Sequence, residues 1–412
     1  MVALSGMVRG GTGRLKEHPR RVLATACGAH ALHDGYTDLL YVLLPIWQTE
    51  FALGYAAVGA LRAIYAGAMA GLQVPAGVLS RRLGGPAVLV GGTALAALAY
   101  LFAGVSTGFL FLAAMLILGG IGSSTQHPIA SSLVARAYEG RSSRAALGTY
   151  NFAGDLGKMA LPAATAWLVN LMPWRPSIMV LGLVGLAAAA LIAGLLRGES
   201  GAPAAAAPSH AAATTGTAKS ASIPAPGGFP VLLVIGIIDS ATRMGFLTFL
   251  PFLLKAKGAD VPMVGMALTL IFAGGAAGKL VCGLLGARLG VLATVFLTEG
   301  LTAAGILALL PLPLAGGLAL LPVIGVALNG TSSVLYGTVP ELVPAERREH
   351  AFGVFYTGTI GGGALAPVLY GLFSDAAGVP LMMVLVAAIV LTTLPLAWRL
   401  RPALRQVARS GA

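Results

Sequence analysis

The chain has 412 residues, 57% of them hydrophobic and only 10% charged, with a mean hydropathy of +0.87. Soluble domains carry about 25% charged residues, so this balance excludes an ordinary soluble enzyme and indicates a polytopic membrane protein. The net charge of +12 raises nucleic acid as a partner, and the placement of the basic residues removes it.

A spanning helix needs about 20 apolar residues. Runs of that kind lie at about 22–46, 53–79, 86–107, 109–135, 145–171, 175–197, 229–254, 261–286, 291–311, 316–339, 351–374 and 379–400. The expectation is an all-α membrane protein of twelve helices. With the N-terminus inside, the cytoplasmic side holds Arg9, Arg14, Lys16, Arg20, Arg21, Arg81, Arg82, Arg136, Arg141, Arg144, Arg197, Lys219, Arg288, Arg347, Arg348, Arg399, Arg401, Arg405 and Arg409. The external loops hold Arg175, Lys255 and Lys257. This bias puts both termini in the cytoplasm of a bacterial-type inner membrane.

A charged side chain at bilayer depth costs at least about 2.5–3.5 kcal/mol, so it should face the protein interior and have a partner. The first span contains "HALHDGYTDLLYVLLP". At 100° per residue His30, His33, Asp34, Thr37, Asp38 and Tyr41 share an arc of about 140°, while Leu32, Leu39 and Leu43 point away. The second span carries Arg62 one turn from Tyr65, too deep to reach water easily, and ends in "GVLSRRLG". The fourth contains "GSSTQHPIASSLVARA" with Gln126 and His127; a bland reading has His127 donating to a carbonyl freed by Pro128. In the fifth, Asn151, Asp155, Lys158 and Pro162 share a face, and Asp155 with Lys158 forms an i,i+3 pair.

The polar interruption 198–228 is rich in Ala, Pro, Ser and Thr and reads as a flexible cytoplasmic linker. It divides a six-helix bundle (21–197) from a second (229–400), with tails at 1–20 and 401–412. The seventh span carries Asp239 and Arg243 at i,i+4. Either same-helix pair could serve only to limit insertion cost. The eighth carries Lys279, about 10 Å from its cytoplasmic end by helical rise and able to snorkel. Glu299 in the ninth reads as packing or loop-proximal. Asn329 and Tyr336 follow in the tenth and Tyr356 in the eleventh. Cys27 and Cys282 lie in apolar runs and indicate neither disulfide nor metal site.

The halves repeat. "GALRAIYAGAMAGLQVPAGVLSRRLG" from Gly59 aligns with "GMALTLIFAGGAAGKLVCGLLGARLG" from Gly265. The match pairs Gly59 with Gly265, Gly77 with Gly283, Arg82 with Arg288 and Gly84 with Gly290. Asp34 and Asp239 match within one residue, whereas Asp155 and Lys158 align with Ile360 and Gly363. One half mainly titrating and the other mainly binding is the expectation this asymmetry raises.

Two parallel six-helix repeats are the arrangement of the major facilitator superfamily, and "GVLSRRLG" resembles that superfamily's loop signature, with Ser80 approximately where an Asp is usual. "HALHDGYTDLLYVLLPIWQTEFAL", "GSSTQHPIASSLVARA" and "RMGFLTFLPFLL" resemble the fosmidomycin-resistance branch. The resemblance implies a twelve-helix transporter, usually a proton-driven exporter, moving a small-molecule substrate across the lipid bilayer by alternating access, and a monomer is expected. Uptake of an organic anion is the alternative; a transporter-like sensor or membrane enzyme is remote, since no nucleophile elbow, zinc-protease or Walker motif occurs.

A carboxylate alternating between solvent and a cationic partner can load and release a proton. Asp34 is the expected proton carrier, with His30, His33, Asp155 and Asp239 as further proton-coupling groups. Arg62, Tyr65, Gln126, His127, Asn151, Lys158, Arg243, Asn329, Tyr336 and Tyr356 are expected to bind substrate. Gly77, Arg81, Arg82, Gly84, Gly283, Arg288 and Gly290 are expected to form the gating loops. No cofactor or metal is expected.

Overall fold

The computed structural model describes residues 18–138, 140–197, 227–344 and 347–410. The expected tail through residue 17, the expected linker over 198–226 and the last two residues lie outside this set.

Within it the apolar runs fold as helices, with no strand among the described residues. The first half comprises α1 (Pro19–Asp38), α2 (Leu40–Glu50), α3 (Tyr55–Gly71), α4 (Gln73–Leu83), α5 (Gly85–Ala103), α6 (Phe109–Ser123), α7 (Gln126–Ala137), α8 (Gly140–Leu171) and α9 (Trp174–Leu195). The second comprises α10 (Gly228–Ala256), α11 (Val261–Leu309), α12 (Leu314–Leu342), α13 (Arg348–Ala377), α14 (Val379–Leu391) and α15 (Thr393–Ser410). Two helix breaks fall at glycines that the repeat pairs. Gly84 (φ 88°) closes α4, and its repeat partner Gly290 (φ 82°) breaks α11. Both adopt the left-handed region that other residues avoid.

Nine of the described helical segments are long and apolar enough to cross a membrane, ten if the α3–α4 pair, bent by 43°, is one span. The long segments outside that set are α1–α2 and α8. These carry Asp34, Asp38, Asp155 and Lys158, whose charge lowers their apolarity. Twelve passes fit this architecture.

The apolar core has an uneven layout. One cluster joins both halves at the end away from Pro19, packing Tyr41 and Trp47 of the first with Phe246, Leu250 and Phe272 of the second. At the opposite end the halves keep separate clusters, around Leu89, Ile129 and Tyr150 and around Leu335, Phe355 and Leu400. The repeat glycines explain the joined end. Gly59 lies directly against the Pro367 carbonyl of α13, and Gly265 against Ala166 of α8. Glycine at a helix crossing lets backbones approach closely. The Asp375 carboxylate then accepts hydrogen bonds from the amides of Tyr55 (2.6 Å) and Ala56 (3.0 Å) at the start of α3. An anion at a helix N-terminus is favourable, so this contact fastens the halves together.

Candidate functional site

Between the halves lies a cavity of about 290 Å³. Its charged lining is Asp34, Asp38, Asp155, Arg62, Lys158, Arg243 and Lys279, with His127 beside them. That set holds one more basic side chain than carboxylates. The packing of α8 on α1 builds its core. Gly157 lies against the Ala31 carbonyl, and a Cβ on Gly154 would stand 2.7 Å from His30 Nε2 and 2.8 Å from Asp34 Oδ2. The two glycines flank Asp155 and bring α8 close enough for its Lys158 to reach α1.

Asp34 is the hub of that packing. Its Oδ2 meets Lys158 Nζ at 3.2 Å and His30 Nε2 at 3.3 Å, and its Oδ1 meets His127 Nε2 at 3.6 Å. His30 Nδ1 lies 2.8 Å from the Tyr150 carbonyl. Because a carbonyl only accepts, Nδ1 carries the proton and Nε2 is turned to the carboxylate. The ligand atoms of His30, Asp34 and His127 lie within 4.8 Å of one another. Two imidazoles and a carboxylate suit a transition metal, yet Lys158 already supplies positive charge to that carboxylate.

The ion pairing differs from the same-helix pairs expected from sequence. Asp155 and Lys158 are 3.9 Å apart, whereas Lys279 of α11 donates to both Asp155 oxygens at 2.6 and 2.8 Å. Lys279 therefore crosses to the other half, which corrects the snorkelling alternative: a carboxylate within reach is a better partner than the distant interface. Asp239 and Arg243 form no ion pair among the described residues. Glu299 is 1% exposed, which overturns its loop-proximal reading.

Arg62, 2% exposed, donates to the Tyr41 hydroxyl at 3.2 Å, stacks over that ring at 5.1 Å and lies 4.0 Å from Asp38. Its Nε and Nη1 are buried and meet no acceptor among the described residues.

Several expected site residues stand away from this cavity. His33 turns from Asp34 toward Ser123 Oγ (3.3 Å) and Thr93 Oγ1 (2.9 Å). Tyr65 bonds Ser123 (2.8 Å) rather than facing Arg62, and Gln126 donates to the Tyr150 hydroxyl (2.8 Å). Asn151 is half-buried outside the lining. Asp239 and Tyr336 line a smaller second cavity, and Tyr356 packs on Tyr336 with ring centroids 4.8 Å apart. Asn329 and Arg243 do line the main cavity. Gly77 and Gly283 meet no neighbour a Cβ would touch, and Arg81, Arg82 and Arg288 are exposed.

Sequence reasoning missed Lys279 as a partner of Asp155, because helix pairing between halves is not written in either helix alone. It also passed over Gly154 and Gly157, although small residues three apart beside a buried charge signal a close helix crossing.

The profile of the Major Facilitator Superfamily matches residues 26–230 and 232–411. No curated protein sequence matches the chain. Among solved structures, the chain resembles a bacterial homologue of the human lysosomal transporter Spinster, inward-facing and occupied. The TM-score is 0.78 at 15% identity, over 95% of this chain and 98% of that one. The unoccupied inward-facing form of that homologue gives 0.73 at 16% identity, over 95% and 99%.

Proposed function

The chain belongs to the Major Facilitator Superfamily, and we propose that it is a proton-coupled secondary transporter carrying a small anionic or zwitterionic organic solute by alternating access. In this reading twelve spans form two six-helix bundles, 21–197 and 229–400, joined by the linker 198–228. The protein acts as a monomer in a bacterial-type inner membrane with both termini cytoplasmic. The fastened end is then external and the cavity opens inward, and the likeness to an inward-facing relative supports this assignment.

The observation that carries the cargo class is Arg62. A buried guanidinium with two unused donors beside a cavity with an excess of basic groups awaits acceptors. A carboxylate or phosphonate would supply them in the planar geometry that arginine favours. Asp34 serves as the proton carrier, because cargo that draws Lys158 away leaves its carboxylate to take up a proton instead.

The resemblance to the fosmidomycin-resistance branch favours export. The excess of basic groups at the cavity favours the second reading, uptake of an organic anion with protons. A drug-susceptibility panel set against growth on organic acids separates them. The cargo is tested by a thermal-shift screen of purified protein against carboxylates and phosphonates, repeated with Arg62→Ala. A ligand whose stabilisation vanishes in the variant supports the reading; stabilisation equal in both proteins contradicts it.

A further inference from the structure

The second half contains a buried acidic group that the central site does not use. Asp239 on α10 is 4% exposed and Glu299 on α11 is 1% exposed, and their carboxyls lie in hydrogen-bond contact. Glu299 Oε1 is fully buried and meets no N–H or O–H donor among the described residues. An ionised carboxylate only accepts, so two carboxyls can bond only when one carries a proton. The surroundings point the same way. Arg243 is the charged group that faces them, and it lies beyond ion-pair distance from Asp239. On α12, Tyr336 is engaged with Thr359 Oγ1 (3.2 Å), and Thr331, 2.8 Å from Thr298 Oγ1, is the one hydroxyl among the described residues that also reaches Glu299, too little to offset a full buried charge. From α13, Phe355 and Thr359 line the small cavity beside Asp239. An uncompensated buried carboxylate is strongly unfavourable, and a shared proton removes the charge.

We infer that Asp239 and Glu299 share one proton as a second proton site, in the C-terminal half, governed by Arg243. Arg243 lines the central cavity and also the small polar cavity that holds Asp239, Ser332 and Tyr336. It can therefore turn toward cargo or toward the carboxyl pair. An anion in the central cavity draws the guanidinium away, and the pair then keeps its proton. When the anion leaves, Arg243 turns back and favours proton release. Anion and proton load together, which is the linkage required for uptake with protons. The last step rests on the anionic-cargo reading above; the proton site does not.

Infrared spectroscopy of the purified protein tests this without cargo, so a failed ligand screen leaves the test intact. At neutral pH the wild type should show a protonated-carboxyl stretch that is lost in Asp239→Asn/Glu299→Gln. Each single variant, isosteric and expected to fold, should shift that band, because the bond is shared. In Arg243→Gln the band should survive to higher pH than in the wild type. A double variant with the wild-type spectrum overturns the shared proton. An unchanged titration in Arg243→Gln overturns the control by Arg243.

Discussion

Lys279 and Asp155 join the two halves of the molecule. The ammonium of α11 donates to both carboxylate oxygens of α8 at 2.6 and 2.8 Å. The Thr269 hydroxyl on the Met159 carbonyl (3.1 Å) and the Gly265–Ala166 crossing also join α8 and α11, further toward the closed end.

The pair should therefore show coupling that neither helix provides alone. Asp155→Asn, Lys279→Gln and the double variant, unfolded in mixed detergent micelles, should give an interaction energy of about 0.5–3 kcal/mol. Strict additivity would mean that the contact is incidental.

Arg62 should not be replaceable by lysine. The cargo would use the planar fork of the guanidinium, which an ammonium lacks. Arg62→Lys should weaken binding of the ligand found by thermal shift about tenfold to a hundredfold, from a loss of about 1.5–3 kcal/mol in charge-assisted hydrogen bonding. Calorimetric titration of both proteins gives the comparison.

Gly154→Ala should disturb the His30–Asp34 contact through packing alone. Its Cβ would sit 2.7 Å from His30 Nε2 and 2.8 Å from Asp34 Oδ2, so those two groups must leave their present positions. Overpacking of this kind costs about 1–3 kcal/mol, and transport should fall with it. Gly148→Ala on the same helix meets nothing within 4 Å and should leave melting temperature and transport unchanged.

At the closed end, the Arg175 guanidinium at the first turn of α9 donates to Glu50, which lies outside the spans, at 2.6 Å and holds its carboxyl below the usual range. A carboxyl lowered on folding adds stability above its unfolded pKa, and that stability is lost as pH falls through the folded value. The melting-temperature gap between wild type and Glu50→Gln should thus be small, as for exposed pairs, and should close in acid. A gap that widens in acid would contradict the pairing.

Much of this architecture was legible in the sequence, because bilayer thickness fixes span length and the repeat is preserved at Gly84 and Gly290, where backbone geometry demands glycine. The polar arc of the first span also foretold that Asp34, Asp38 and Tyr41 face one cavity. His33 broke from it because Thr93 and Ser123 of neighbouring helices offer hydroxyls on its other side. Partners such as Lys279 for Asp155 and Glu299 for Asp239 lie outside any periodicity. Each depends on which helices pack together, and a helical wheel carries no information about its neighbours.

Under the proposed function, Asp34 couples solute movement to protons. Reconstituted into vesicles with an imposed pH gradient and the ligand identified by thermal shift, the wild type should accumulate that ligand while an internal pH dye reports proton movement. Asp34→Asn, inserted and folded to the same extent, should bind the ligand and exchange it down its gradient, yet show neither gradient-driven accumulation nor coupled proton flux. Accumulation and proton flux at wild-type levels in Asp34→Asn would contradict the account.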